Sequence, residues 1–173
     1  MNTINKNGRW AANICYNLEQ QNFLYIPDIQ SGRIYVSYGE QVYLTFNMGA
    51  DGRVGYAGPD LNNPSDPNQD VLFEFLEFTI INKEFWGNTS RVDFFTFPIV
   101  AMLLGNNGWT NGQYYENYFA IVGDQGNRDQ IFNAFRNEVP NEFKTLVQIK
   151  EIWHLAKNLS IMELNMNTIL III

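Results

Sequence analysis

Cysteine and histidine each occur once in this chain, as Cys15 and His154, and eleven basic residues stand against eighteen acidic ones. A single cysteine excludes an internal disulfide and leaves the redox compartment undetermined. Cys15 has no plausible base to activate it, so it and His154 both read as incidental to any chemistry. The net charge of −7 excludes a nucleic-acid partner, which needs clustered Lys and Arg. Long apolar runs are missing too: Thr168 to Ile173 falls far short of the ~20 residues of a membrane span. The opening MNTINKNGRW lacks the basic-then-apolar pattern of an export signal. No internal repeat is visible. These absences predict a soluble monomer with no membrane partner and no cofactor.

What the chain does hold is aromatic. Rings make up 15% of its 173 residues and hydrophobic residues 46%, which suits one globular β-rich unit. Most of the Phe would fill a core, while Tyr and Trp supply amphipathic faces of the kind that stack on sugar rings. The first two-thirds reads as strands. Arg33 to Ser37 and Gln41 to Phe46 suggest a hairpin around Tyr38-Gly39-Glu40. Residues 48–69, rich in Gly, Asp, Asn and Pro, read as a long irregular loop. At its end PDLNNPSDPNQD offers Asp60, Asn62, Asp66, Asn68 and Asp70, a pattern that Asx turns explain better than calcium, because an EF-hand's glycine and terminal glutamate are missing. From Asn127 the character changes. Asp129 is placed to cap a helix bearing Ile131, Phe132 and Phe135 and ending before Pro140, where a second helical start follows.

The stretch from Val71 to Pro98, VLFEFLEFTIINKEFWGNTSRVDFFTFP, carries the functional signal. It reads as two aromatic strands flanking a polar loop at 82–90, each strand with an acid among apolar residues: Glu77 and Asp93. Carboxylates are seldom buried without a partner. Alternation puts Glu77 on one face with Phe73, Phe75 and Thr79, and Asp93 with Arg91, Phe95 and Phe97. A hairpin folded about Phe85 would set Glu77 opposite Asp93. Two neighbouring carboxylates in apolar surroundings separate into a proton donor and an ionised base, the pair that glycoside hydrolysis requires. The residues alone leave open an ordinary salt bridge from Arg91 to either acid. Glu74, on the other face, reads as solvent-facing.

The string E-F-T-x-x-N-x-x-x-W-x-N-x-S-x-V-D, from Glu77 to Asp93, resembles the core of glycoside hydrolase family 64, β-1,3-glucanases distantly similar in fold to thaumatin. YIPDIQSGRIYVSYGE at Tyr25 to Glu40, NPSDPN at Asn63 to Asn68 and FPI at Phe97 to Ile99 agree in order, and the resemblance runs through RDQIFNAF to about Val147. It implies a mainly β protein: a thaumatin-like β-sandwich or barrel core, with C-terminal helices beginning a mixed α/β subdomain. It further implies inverting hydrolysis of β-1,3-glucan to short oligosaccharides, with Glu77 as general acid and Asp93 as general base. Thr79, Trp86 and Ser90 fall where the family lines its glucan groove. Ile81 and Asn82 depart slightly from the pattern, the polar residue coming one step late. The family is typically secreted.

On this reading residues 1–149 are a partial family domain and 150–173 an atypical tail. Written back into codons, the tail's neighbouring frame can spell Met-Ala-Pro-Cys-Lys and further family-like sequence, so an out-of-frame tail on a truncated glucanase is expected. Its apolar end should then be poorly specified or sticky. The alternative to an active hydrolase is a catalytically impaired fragment or a non-catalytic glucan-binding β-domain.

Overall fold

The computed structural model describes residues 3–20, 24–89, 94–105, 108–110, 112–149 and 168–172. In chain order its strands are β1 (Thr3–Lys6), β2 (Arg9–Ala12), β3 (Tyr16–Asn17), β4 (Ile29–Tyr38), β5 (Thr45–Met48), β6 (Val54–Ala57), β7 (Leu72–Ile81), β8 (Glu84–Thr89), β9 (Val100–Gly105), β10 (Gly108–Thr110), β11 (Gln113–Tyr115) and β12 (Tyr118–Gly123). Helix α1 (Arg128–Glu138), a 3-10 helix at Asn141–Ile149 and strand β13 (Thr168–Ile172) follow. The protein is mainly β, as expected, and its helices come after the strand-rich region.

One five-stranded sheet organises the molecule, in the order β3-β13-β4-β7-β8 with antiparallel neighbours throughout. Its long strands, IQSGRIYVSY and LFEFLEFTII, are rich in aromatic and β-branched residues. On one face the cross-strand pairs are Ser37 with Phe73, Tyr35 with Phe75, and Arg33 with Glu77. At the Phe73 end this face is core. The β1–β2 and β5–β6 ribbons and residues 42–44 cover it, burying Ala11, Tyr35, Val42, Leu44 and Phe73. Phe94 closes edge-on against Phe73, ring centroids 4.8 Å apart. Walking along the sheet from Phe73 to Glu77, the same face leaves the core and becomes a groove.

Several expectations are corrected. β4 pairs with β7 and β13, not with the residues after Gly39. Gln41 to Leu44 are buried on every side and make no ladder. They are tied in by Ala12 N donating to Leu44 O and by the side chain of Asn68, which bonds both Tyr43 N (2.7 Å) and Tyr43 O (2.9 Å). The 48–69 loop is interrupted by β6, which pairs with β5. Its remainder is braced by Asx turns: Asp60, Asn63 and Asp66 each accept from the backbone N–H two residues on. The polar stretch 82–90 is mostly strand β8, while residues 94–99, read as strand, make no ladder.

Helix α1 is capped by Asn127, whose side chain accepts from Asp129 N at 2.8 Å; Asp129 sits in the first turn, where a negative charge favours the helix dipole. The end before Pro140 is as expected, Val139 being the C-cap. Thr168–Ile172 forms a strand between β3 and β4, so the apolar end of the tail has a defined register. His154 lies outside the described residues.

Candidate active site

The β7–β8 hairpin builds the site. It turns on Asn82 and Lys83, both with positive φ (52° and 67°), the two-residue connection that matches strand twist. That turn fixes Thr79 opposite Trp86 and Glu77 opposite Asn88. Glu77 is therefore not paired with Asp93, as a hairpin about Phe85 would require. The tight turn brings Thr89, the last described residue of β8, opposite Leu76. Asp93, Ser90 and Arg91 lie outside the described residues.

Alternation holds for the rest. Glu77, Thr79, Trp86 and Asn88 share one face with Arg33 of the neighbouring strand. A bulge between Ile29 and Gly32 bends β4 beside them, with Ser31 at φ 56°. Bulges re-aim backbone groups next to functional sites. Here the Ser31 N–H points at Thr79 Oγ1, 3.1 Å away. Trp86 is 54% exposed and offers a flat apolar face at the outer strand of the sheet. Tyr56 and Gly58 border the same groove. The open space these residues line, about 1170 Å³, also wraps the outer edge of β8 to Met102 and Val122. Strand alternation assigns only its Glu77 side to the groove, since Leu76, Phe78 and Phe85 face the other way.

Glu77 is held by Arg33, a residue to which the sequence alone gave no role. Arg33 Nε and Nη2 both donate to Glu77 Oε1, at 2.9 and 2.6 Å. The guanidinium lies 5.0 Å over the Phe75 ring, with Nη1 3.5 Å from Tyr35 Oη. Burial works against the Arg33 charge, but bonds to Tyr35 and Glu77 outweigh it, and the group stands above its ordinary pKa. Tyr35, beneath the pair, is pushed up to about 12 chiefly by burial.

Glu74 also differs from expectation. It is fully buried, and its Oε1 accepts from Thr96 N, Thr96 Oγ1 (2.9 Å) and Phe97 N (3.3 Å). The single proton of the Thr96 hydroxyl is shared between that oxygen and Phe73 O, and Arg128 Nε donates to Thr96 O at 2.8 Å. Beyond the end of β8, the 94–97 segment is thus fastened against β7 through a buried carboxylate. Loop amides needing an acceptor inside the sheet explain an acid here, a long-range need that local sequence does not display. Cys15, partly buried, has its thiol pushed up to about 11 by burial, which suits a packing role.

A family model described as Beta-1,3-glucanase matches residues 4–163. The chain is similar to a β-1,3-glucanase domain of glycoside hydrolase family 64 from Clostridium beijerinckii, 44% identical with a TM-score of 0.64, covering 74% of this chain and 32% of that one. It is also similar to a family 64 laminaripentaose-producing β-1,3-glucanase from Paenibacillus barengoltzii, solved in complex with laminarihexaose: 39% identity, TM-score 0.67, 84% of this chain and 32% of that one. A glucan endo-1,3-beta-glucosidase from Cellulosimicrobium cellulans is 40% identical over 68 residues, 39% of this chain and 12% of that protein. The chain thus spans about a third of the solved relatives and a smaller part of the curated one.

Proposed function

Because this chain belongs to the β-1,3-glucanases of glycoside hydrolase family 64, we propose that it hydrolyses β-1,3-glucan with inversion. Glu77 is the general acid and Asp93 the general base. The observation that carries this reading is the setting of Glu77: an acid on the floor of an open groove, beside the Thr79 hydroxyl and the exposed face of Trp86. Trp86 stacks on a glucosyl ring, and Thr79 with Ser90 bonds its hydroxyls. Glu77 protonates the departing glycosidic oxygen while Asp93 takes a proton from water on the opposite face of the sugar. An inverting pair requires carboxyl groups ~6.5–9.5 Å apart. Action on an oligosaccharide or polymer by a secreted monomer belongs to the same proposal.

The test is laminarin hydrolysis by the purified chain, followed as reducing ends. Glu77→Gln and Asp93→Asn should each lower the rate at least ~10²–10⁴-fold, the usual contribution of acid–base groups. Full activity in either variant removes that residue from the mechanism. A second reading is a non-catalytic glucan-binding β-domain, which the exposed face of Trp86 would serve without any chemistry. Retention on curdlan without any release of sugar would select it.

A further inference from the structure

We propose that Arg33 is a positioning residue for the proton transfer: it holds Glu77 by one oxygen, Oε1, so that the other, Oε2, carries the proton to the leaving sugar. The inference rests on the assignment of Glu77 as the acid and goes beyond it by naming the delivering atom and the group that selects it.

Three observations carry it. First, the guanidinium does not take its usual fork-to-fork grip on both carboxylate oxygens. Nε and Nη2 converge on Oε1 alone, at 2.9 and 2.6 Å. Among the described residues no donor is directed at Oε2. A proton on Oε1 would have to displace two N–H donors, whereas a proton on Oε2 displaces none.

Second, Arg33 is itself fixed. It stands directly across the ladder from Glu77, its guanidinium lies over Phe75, and Nη1 approaches the hydroxyl of the fully buried Tyr35. The arginine therefore defines where the carboxyl points.

Third, the pair is too exposed to matter much for stability. Its side chains are 37% and 34% accessible, and such surface ion pairs contribute at most about 1 kcal/mol. Orientation is what this contact supplies.

In the step itself, the Oε2–H bond breaks as the proton moves to the glycosidic oxygen and the C1–O bond opens. Water adds to C1 and gives its proton to Asp93. Glu77 is left as carboxylate and Asp93 as acid, and a proton passing from Asp93 through solvent to Glu77 restores the starting state.

Leaving-group chemistry separates this role from a merely structural one. A dinitrophenolate departs without a proton, so a defect in proton delivery should vanish with it. Arg33→Met, which keeps an unbranched stem and removes the guanidinium, Arg33→Lys, which keeps the charge, and Glu77→Gln are compared on laminarin and on 2,4-dinitrophenyl β-laminaripentaoside. Thermal midpoints are recorded for each. Arg33→Met should lose about 100-fold in kcat on laminarin, within the range for acid catalysis. Its KM should stay within roughly threefold and its kcat on the aryl glycoside within about fivefold, as for uniform ground-state binding left intact. Arg33→Lys should fall between. An equal loss on both substrates, or a loss carried by KM, overturns the proposal while leaving Glu77 as the acid, provided Glu77→Gln recovers on the aryl glycoside. If Glu77→Gln does not recover, the assignment of the acid fails and the role of Arg33 falls with it. A wild-type chain that releases nothing from either substrate overturns both.

Discussion

Glu74 and Glu77 lie three residues apart on one strand and meet opposite fates. Glu77 faces the groove, about a third of its side chain accessible. Glu74 has no exposed surface and satisfies amides of the 94–97 segment. Replacing Glu74 with Leu leaves those part-buried N–H groups without their acceptor, a cost on the order of 2 kcal/mol. Glu74→Gln keeps an acceptor oxygen and should lose about 1 kcal/mol or less. Urea unfolding of the two variants checks the difference; equal stability would mean that Thr96 and Phe97 find other acceptors.

Two further residues predict alkaline behaviour. Burial raises the Cys15 thiol from 9.0 to about 11. Burial, aided by Tyr56 and opposed by Arg33, raises Tyr35 from 10.0 to about 12. In both the folded state favours the neutral, protonated form. Their contribution is complete below pH 9 and is lost as pH rises through 11 to 12. The thermal midpoint should hold to about pH 9 and then fall, and Cys15→Ala should remove the first part of that fall.

Among the elements, two of the tight hairpins make a comparison within one molecule. β1 and β2 are joined by Asn7-Gly8 at φ 53° and 84°; β7 and β8 are joined by Asn82-Lys83 at φ 52° and 67°. Lysine in the left-handed region carries a steric cost that glycine escapes. Lys83→Gly should therefore stabilise the protein by about 0.5–1 kcal/mol, less what glycine gains in unfolded-chain freedom. A lowered thermal midpoint would show that this turn is not limited by its backbone.

The same turn explains what the sequence did and did not disclose. Strand alternation around Glu77 and Thr79 was legible because a period of two follows from pleating alone, whereas Trp86, read as loop, lies on strand β8. The pairing of Glu77 was not legible, since Asn82-Lys83 lacks the glycine that marks such turns and register depends on the turn. The partnership of β4 with β7, and with it Arg33 with Glu77, joins residues 44 apart in sequence. No local pattern carries a pairing of that range. Gln41 to Leu44 read as strand because Val42, Tyr43 and Leu44 are apolar or aromatic, yet these three are so because they cross the core.

At the scale of the whole molecule, the β9–β12 ribbon presents Val100, Met102, Leu104, Phe119 and Ile121 to solvent. The register puts all five on one face. A two-stranded ribbon with an uncovered apolar face is a weak unit by itself. Hydrogen exchange should find the amides of β9 and β12 less protected than those of β4 and β7, where both neighbours are paired. Equal protection across these strands would contradict that ranking.

The most direct test of the account follows the stereochemistry of hydrolysis itself. Laminarin is digested by the wild-type chain inside an NMR tube, and the anomeric proton of the new reducing end is recorded before mutarotation. An inverting pair of Glu77 and Asp93 predicts that the α-anomer appears first and that Glu77→Gln yields no signal. First appearance of the β-anomer, or release that persists in Glu77→Gln, would contradict the account.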